Sequence, residues 1–149
     1  MTVVDSMVFD QNSKDKDLTL EFKSIAHGIS VIFEQDSKVA YAYLLDREEV
    51  VSDVWLYNVD YAPQNPEWKN HLCDMPFRNS IQYVSCPVFT PINNQNEISI
   101  EWIENNDKNV IVNVFIRGEL MGVLQKFCKP GWSKLSSVDS PIARVLNRE

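Results

Sequence analysis

The feature that most constrains this chain is period-two alternation, repeated in one segment after another. In "LTLEFKSI", Leu18, Leu20 and Phe22 fall on one side while Thr19, Glu21 and Lys23 fall on the other. Successive side chains of an extended chain point to opposite faces, so this pattern calls for a strand with one buried face. It recurs in "ISVIFE", with Ile29, Val31 and Phe33 inward, and in "EISIEWIE" and "VIVNVFI". Short polar turns, "AHG", "QDSK", "DREE" and "RGE", lie between such segments. Connections that short join antiparallel neighbours, because a parallel pair needs a crossover of about a dozen residues or more. The expected fold is therefore mainly β, with α+β as the alternative. It is an antiparallel meander of about seven or eight strands, in one curved sheet or two packed sheets, with one or two short helices.

Two hairpins can be given a register. Placing Ile98, Ile100 and Trp102 opposite Ile116, Val114 and Val112 puts Glu101 opposite Asn113. A slip of one residue would mix the apolar and polar sets. In the second hairpin, "VAYAYLL" folds on "VVSDVWLY" across "DREE", as a four-residue loop or as a two-residue turn at Arg47 and Glu48, with Tyr41 opposite Val54, Ala42 opposite Asp53 and Ala40 opposite Trp55. One face then holds Val39, Tyr41, Tyr43 and Leu45 with Val50, Ser52, Val54 and Leu56, and is expected to pack on the core. The other holds Ala40, Ala42 and Leu44 with Val51, Asp53, Trp55 and Tyr57. Aspartate is a poor strand residue and costly to bury without partners. Asp53 is thus expected on a partly open surface beside Trp55 and Tyr57. In the competing arrangement, "NPEWKNHL" lies over this face with Lys69 on Asp53.

Five of the seven prolines, Pro63, Pro66, Pro76, Pro87 and Pro91, fall within 58–96, which excludes long regular elements there. Asn65, Pro66 and Glu67 predict a short helix over "NPEWKNHL", and "SIQYV" a short strand. "LMGVLQKF" reads as a strand broken by "KPGW", and Ser140 before Pro141 starts a C-terminal helix over "PIARVLNRE". Residues 1–149 suit a single globular domain, with 1–17, an optional edge strand and polar linker, loosely attached.

Charge narrows the function. The chain carries 21 Asp and Glu against 14 Lys and Arg, a net charge of −7, which opposes a phosphate backbone, so no nucleic-acid partner is expected. No apolar run is long enough to span a membrane, and the start shows no signal-peptide pattern, so no membrane partner is expected. Three cysteines, Cys73, Cys86 and Cys128, suit reduced thiols and a cytoplasmic location.

Chemical motifs are scarce. His71, Cys73 and Cys86 lack the paired spacings of a structural zinc site, so no metal and no cofactor are expected. A Cys–His nucleophile has no supporting arrangement, and with only two histidines the chain is read as a non-enzyme. Asp46, Glu48, Glu49 and Asp53 cluster, but most of them lie at a solvated turn.

A small acidic domain without catalytic residues has the profile of immunity proteins and other antagonists. The expected function is a protein-binding module that blocks a partner presenting a basic surface, through Asp46, Glu48, Glu49, Asp53, Trp55 and Tyr57. The alternatives are a small-molecule-binding or enzymatic β-domain with an aromatic pocket around Trp55, Tyr57, Trp68 and His71, and a homo-oligomeric structural subunit. The odd cysteine count predicts that the chain has the same intact mass with and without reductant. A difference of two mass units would reveal a disulfide.

Overall fold

The computed structural model describes residues 17–69, 76–105, 107 and 109–146 in full and the backbone of 3–8. The alternating segments form strands as expected. β1 (Val3–Val8), β2 (Leu18–Ser24), β3 (Ile29–Gln35), β4 (Val39–Asp46) and β5 (Glu49–Asn58) make one sheet in sequence order, with every neighbouring pair antiparallel. β6 (Ile98–Glu104), β7 (Val110–Ile116), β8 (Glu119–Gln125), β9 (Trp132–Ser133) and β10 (Arg144–Val145) make the second sheet, again in sequence order. Its last pair, β9–β10, is parallel. The fold is thus mainly β, with two packed sheets sharing one core. Leu20, Phe33 and Val54 of the first sheet are fully buried, as are Val112, Val114 and Leu124 of the second.

The β6–β7 register is the expected one, Ile98 opposite Ile116 and Glu101 opposite Asn113. There the Asn113 carboxamide donates to Glu101 at 2.9 Å. The β4–β5 register is different. The expected pairing holds at the tip, where Leu45 faces Val50, and is then lost because Val51 and Leu56 have no residue opposite them. Each bulge adds a residue to one strand and shifts all later pairs. Beyond the first, Tyr41 faces Trp55, Ala42 faces Val54 and Tyr43 faces Asp53.

The assignment of faces on β4 is therefore reversed. Ala40, Ala42 and Leu44 point into the core, at 0%, 0% and 1% exposure. Their small size serves a purpose: Ala42 lies opposite Phe33 and Ala40 opposite Tyr57, and the two aromatic rings meet over them at 6.5 Å. The space left by the alanines is filled from inside the protein. Tyr41 and Tyr43 point outward and stack, with centroids 6.0 Å apart.

The described residues of 58–97 are irregular, as the prolines dictate, and include single-turn 3-10 helices at Glu67–Lys69, Ile81–Tyr83 and Gln95–Glu97. One expectation fails here. "SIQYV" is such a turn and not a strand, although Val84 makes one bridge to Ser136. Of the short helix expected over "NPEWKNHL", Glu67–Lys69 form a 3-10 turn, and Asn70, His71 and Leu72 lie outside the described residues. The C-terminal helix is also replaced, as far as Leu146. Arg144 N–H donates to Gly131 O and Leu146 N–H to Ser133 O, so the segment's donors go to a neighbouring strand. Burial of Ile142 and Ala143 favours that extended course over a local helix. Phe127 also leaves the expected strand, which ends at Gln125.

β5 joins the two halves. Along its outer edge Val51 O accepts from Phe127 N–H, Asp53 O from Gly131 N–H, and Trp55 N–H donates to Ile142 O. Gly131 is required for this approach, because a Cβ there would lie 2.3 Å from the Val123 carbonyl oxygen. Gly131→Ala should destabilise the protein by about 1–3 kcal/mol in urea unfolding, the cost of forced overpacking. In contrast, Glu48 has a left-handed backbone, φ 70°, that glycine adopts freely. Glu48→Gly should therefore stabilise the fold by about 0.5–1 kcal/mol in the same measurement, the left-handed cost of roughly 1–2 kcal/mol less the larger unfolded-state entropy of glycine.

Candidate functional site

The residues expected at the binding surface separate into three groups. Trp55 and Tyr57 do not belong to a surface, since both are at 0% exposure. Tyr57 points into the core, packs on Phe89 at 4.5 Å and donates from its hydroxyl to Gln35. Trp55 points outward but is covered, and its indole N–H donates to Asn58 Oδ1 at 2.9 Å. Asn58 in turn is tied to the backbone of Asn79 by two hydrogen bonds, and Tyr41 donates from its hydroxyl to Phe77 O. The outer face is thus covered by residues around 77–80. Neither an open surface nor an aromatic pocket can be built on Trp55 and Tyr57.

Asp53 forms the second group and answers why a carboxylate sits in this strand. It lies on the outer face opposite Tyr43 and is half-buried. Burial raises its pKa above the ordinary aspartate value, and Lys129 offsets this only in part. Burial also pushes the Tyr43 hydroxyl well up, with Glu34 and Asp53 adding to the effect.

Asp46, Glu48 and Glu49 form the third group, and the structure brings them together at the β4–β5 tip. The turn places Arg47 and Glu48 both at positive φ, 55° and 70°, as a two-residue hairpin turn of the favoured twist requires. The equivalent turn between β7 and β8 has glycine at its second position, Gly118. Asp46 accepts a hydrogen bond from Lys126, which holds its carboxyl below the usual range, and Arg47 lies 4.0 Å away. Glu48 and Glu49 are exposed.

Sequence reasoning missed what faces this tip. Residues 126–129 form a turn against β5, closed by Cys128 N–H to Gln125 O and fixed by Ser52 Oγ donating to Cys128 O. Phe127 stands there at 82% exposure with φ 68°, and Val50 beside it is 37% exposed. Glu49, Val50, Val51, Phe127, Lys129 and Arg144 line an open groove of about 340 Å³. A smaller cavity of about 170 Å³, lined by His27, Leu44, Asp46, Asn109 and Lys126 among others, shares Val51 with this groove. The signal available in "QKFCKPGW" was an aromatic between lysines just before Pro-Gly, where a strand has to stop.

This end of the molecule is therefore two-signed. Asp46, Glu48, Glu49 and Asp53 are matched by Arg47, Lys126, Lys129 and Arg144. His71 and Cys73 lie outside the described residues, and Cys86 and Cys128 are free thiols. Among the described residues no group of three His, Cys, Asp or Glu is placed to hold a metal ion. Nor is any helix there long and apolar enough to cross a membrane. Comparison with protein-family models, with curated proteins and with solved structures finds no match to this chain.

Because the folded pKa of Asp53 is raised, its contribution to stability is complete below the unfolded pKa and is lost as pH rises through the folded value. Asp53→Asn removes that loss. The stability of the variant relative to the parent should increase from acid to neutral pH in parallel denaturation series. A carboxyl titration by NMR should place the Asp53 midpoint above that of an ordinary aspartate.

Proposed function

We propose that this chain is a protein-binding module of the immunity or antagonist kind, which engages a protein presenting a basic surface and blocks it. The observation that carries this reading is where backbone strain collects. Among the described residues four non-glycine residues have positive φ, and Arg47, Glu48 and Phe127 gather at the tip and its facing turn. Left-handed backbone at such residues costs free energy and persists where the surrounding structure holds it, commonly at binding sites. Glycine would relieve Glu48, and a small polar residue would relieve Phe127. The chain instead displays a carboxylate and an aromatic ring.

The contact set keeps Asp46, Glu48, Glu49 and Asp53 from the sequence reading and replaces Trp55 and Tyr57 by Phe127 and Val50 as apolar anchors. Aromatic side chains supply much of the energy of protein interfaces, with charges around them setting encounter and orientation. The net charge of −7 draws a basic partner from a distance. Free thiols at Cys86 and Cys128 suit a cytoplasmic site of action.

The experiment is association of the full chain, used as bait, with a basic protein retained from native lysate at low salt. Glu48→Lys with Glu49→Lys should slow association and flatten its salt dependence. Phe127→Ala should raise the dissociation rate, costing about 2 kcal/mol if the ring is a buried hot spot. Retention that ignores both salt and the double charge reversal would end this reading.

A further inference from the structure

The two walls of the groove carry opposite charge. On one side stand Glu49 and Val50 of β5, with Glu48 at the turn. On the other stand Phe127 and Lys129, with Arg144 of β10. The Arg144 guanidinium lies over the Trp132 ring, 5.1 Å from its centroid, which limits its freedom before any contact. Lys129 and Arg144 make no ion pair with another described residue, and neither do Glu48 and Glu49. Lys129, which also offsets Asp53 in part, and Arg144 on one wall, with Glu48 and Glu49 on the other, therefore border the same apolar strip of Val50 and Phe127.

Such a patch complements itself. A two-fold axis through the groove exchanges its walls, which is the condition for an isologous contact between identical chains. We infer that this face is a self-association surface whose occupant is a second copy of this chain. Phe127 of each copy sits against Val50 of the other, and Lys129 and Arg144 of each meet Glu48 and Glu49 of the other. A uniformly basic partner satisfies only the acidic wall, and a uniformly acidic one only the basic wall. A second copy satisfies both. The net charge of −7 on each copy opposes approach, so the dimer is weak and slow to form. It also uses the residues proposed for the basic partner, so the two occupants exclude one another.

Sedimentation velocity of the full chain, from micromolar to millimolar concentration, tests this without knowledge of any other partner. The mass should rise from monomer towards dimer. Phe127→Ser should weaken association about tenfold or more, without emptying the core, because the ring is 82% exposed. Glu48→Lys with Glu49→Lys should weaken it, and so should Lys129→Glu alone. Mixing those two variants should restore association, because in the mixed dimer one wall-to-wall contact keeps native charges and the other sets the introduced lysines against the introduced glutamate. Circular dichroism establishes that each variant is folded. A chain that stays monomeric at every concentration overturns the inference, as does a dimer indifferent to Phe127→Ser. Failure of the mixture to recover also overturns it. Any of these would leave the reading as an antagonist of a basic protein untouched, since salt-dependent capture of that protein is measured separately.

Discussion

Two residues without partners, Val51 and Leu56, govern most of what distinguishes this structure. Each is an extra residue in β5, and each shifts the pairing with β4 by one. The first leaves the tip in its simple register and moves Asp53 and Trp55 opposite the two stacked tyrosines. The second brings Tyr57 opposite Ala40, where its ring can meet Phe33 inside the core. Bulges also bend a strand and strengthen its twist. β5 is the last strand of its sheet, and its outer edge is used by the 127–131 segment and by Ile142. An edge that would otherwise invite pairing with another chain is thereby closed within the molecule.

Polar pairing holds the irregular segment to this frame. Asn58, fully buried, takes a bond from the Trp55 indole and two more with Asn79, so Trp55 is satisfied under cover. On the inner side Gln35 donates to Ile92 O and accepts from Ile92 N–H and the Tyr57 hydroxyl. Arg78 pairs with Glu67 at 2.7 Å and with Asp60 at 3.0 Å. A segment with so little regular structure has few backbone partners of its own, and these side chains supply them. With the Trp55 end of the outer face covered by residues around 77–80, the β4–β5 hairpin keeps its tip exposed beside the facing turn and the groove.

That remaining surface is chemically mixed, although the whole chain is acidic. Lys126 and Arg47 both compensate Asp46, and Lys129 moderates Asp53. Net charge therefore describes the field at a distance, while the contact itself is decided by which carboxylates and cations stay uncompensated nearby. Glu48 and Phe127, both in left-handed backbone and both exposed, are where the fold accepts local cost to display a side chain.

The sequence by itself determined the strands β2 to β8 and one full register. Alternation in β2, β3, β6 and β7 is a local property, and its buried residues Leu18, Leu20, Phe22, Val31 and Phe33 are those it named. The β6–β7 register followed because a slip exposes one whole apolar set. The acidic tip was legible for the same reason, since turn and charge lie within a few residues of each other. Tertiary structure alone decided the rest. β5 is apolar on both faces, so alternation could not reveal bulges at Val51 and Leu56 or say that Ala40 and Ala42 face inward beneath two rings. Arg144 and Trp132 are brought beside Glu49 and Phe127 by hydrogen bonds between segments far apart in the chain. Burial of Trp55 likewise depends on Asn79, and pairing across that distance leaves no periodic trace in the sequence.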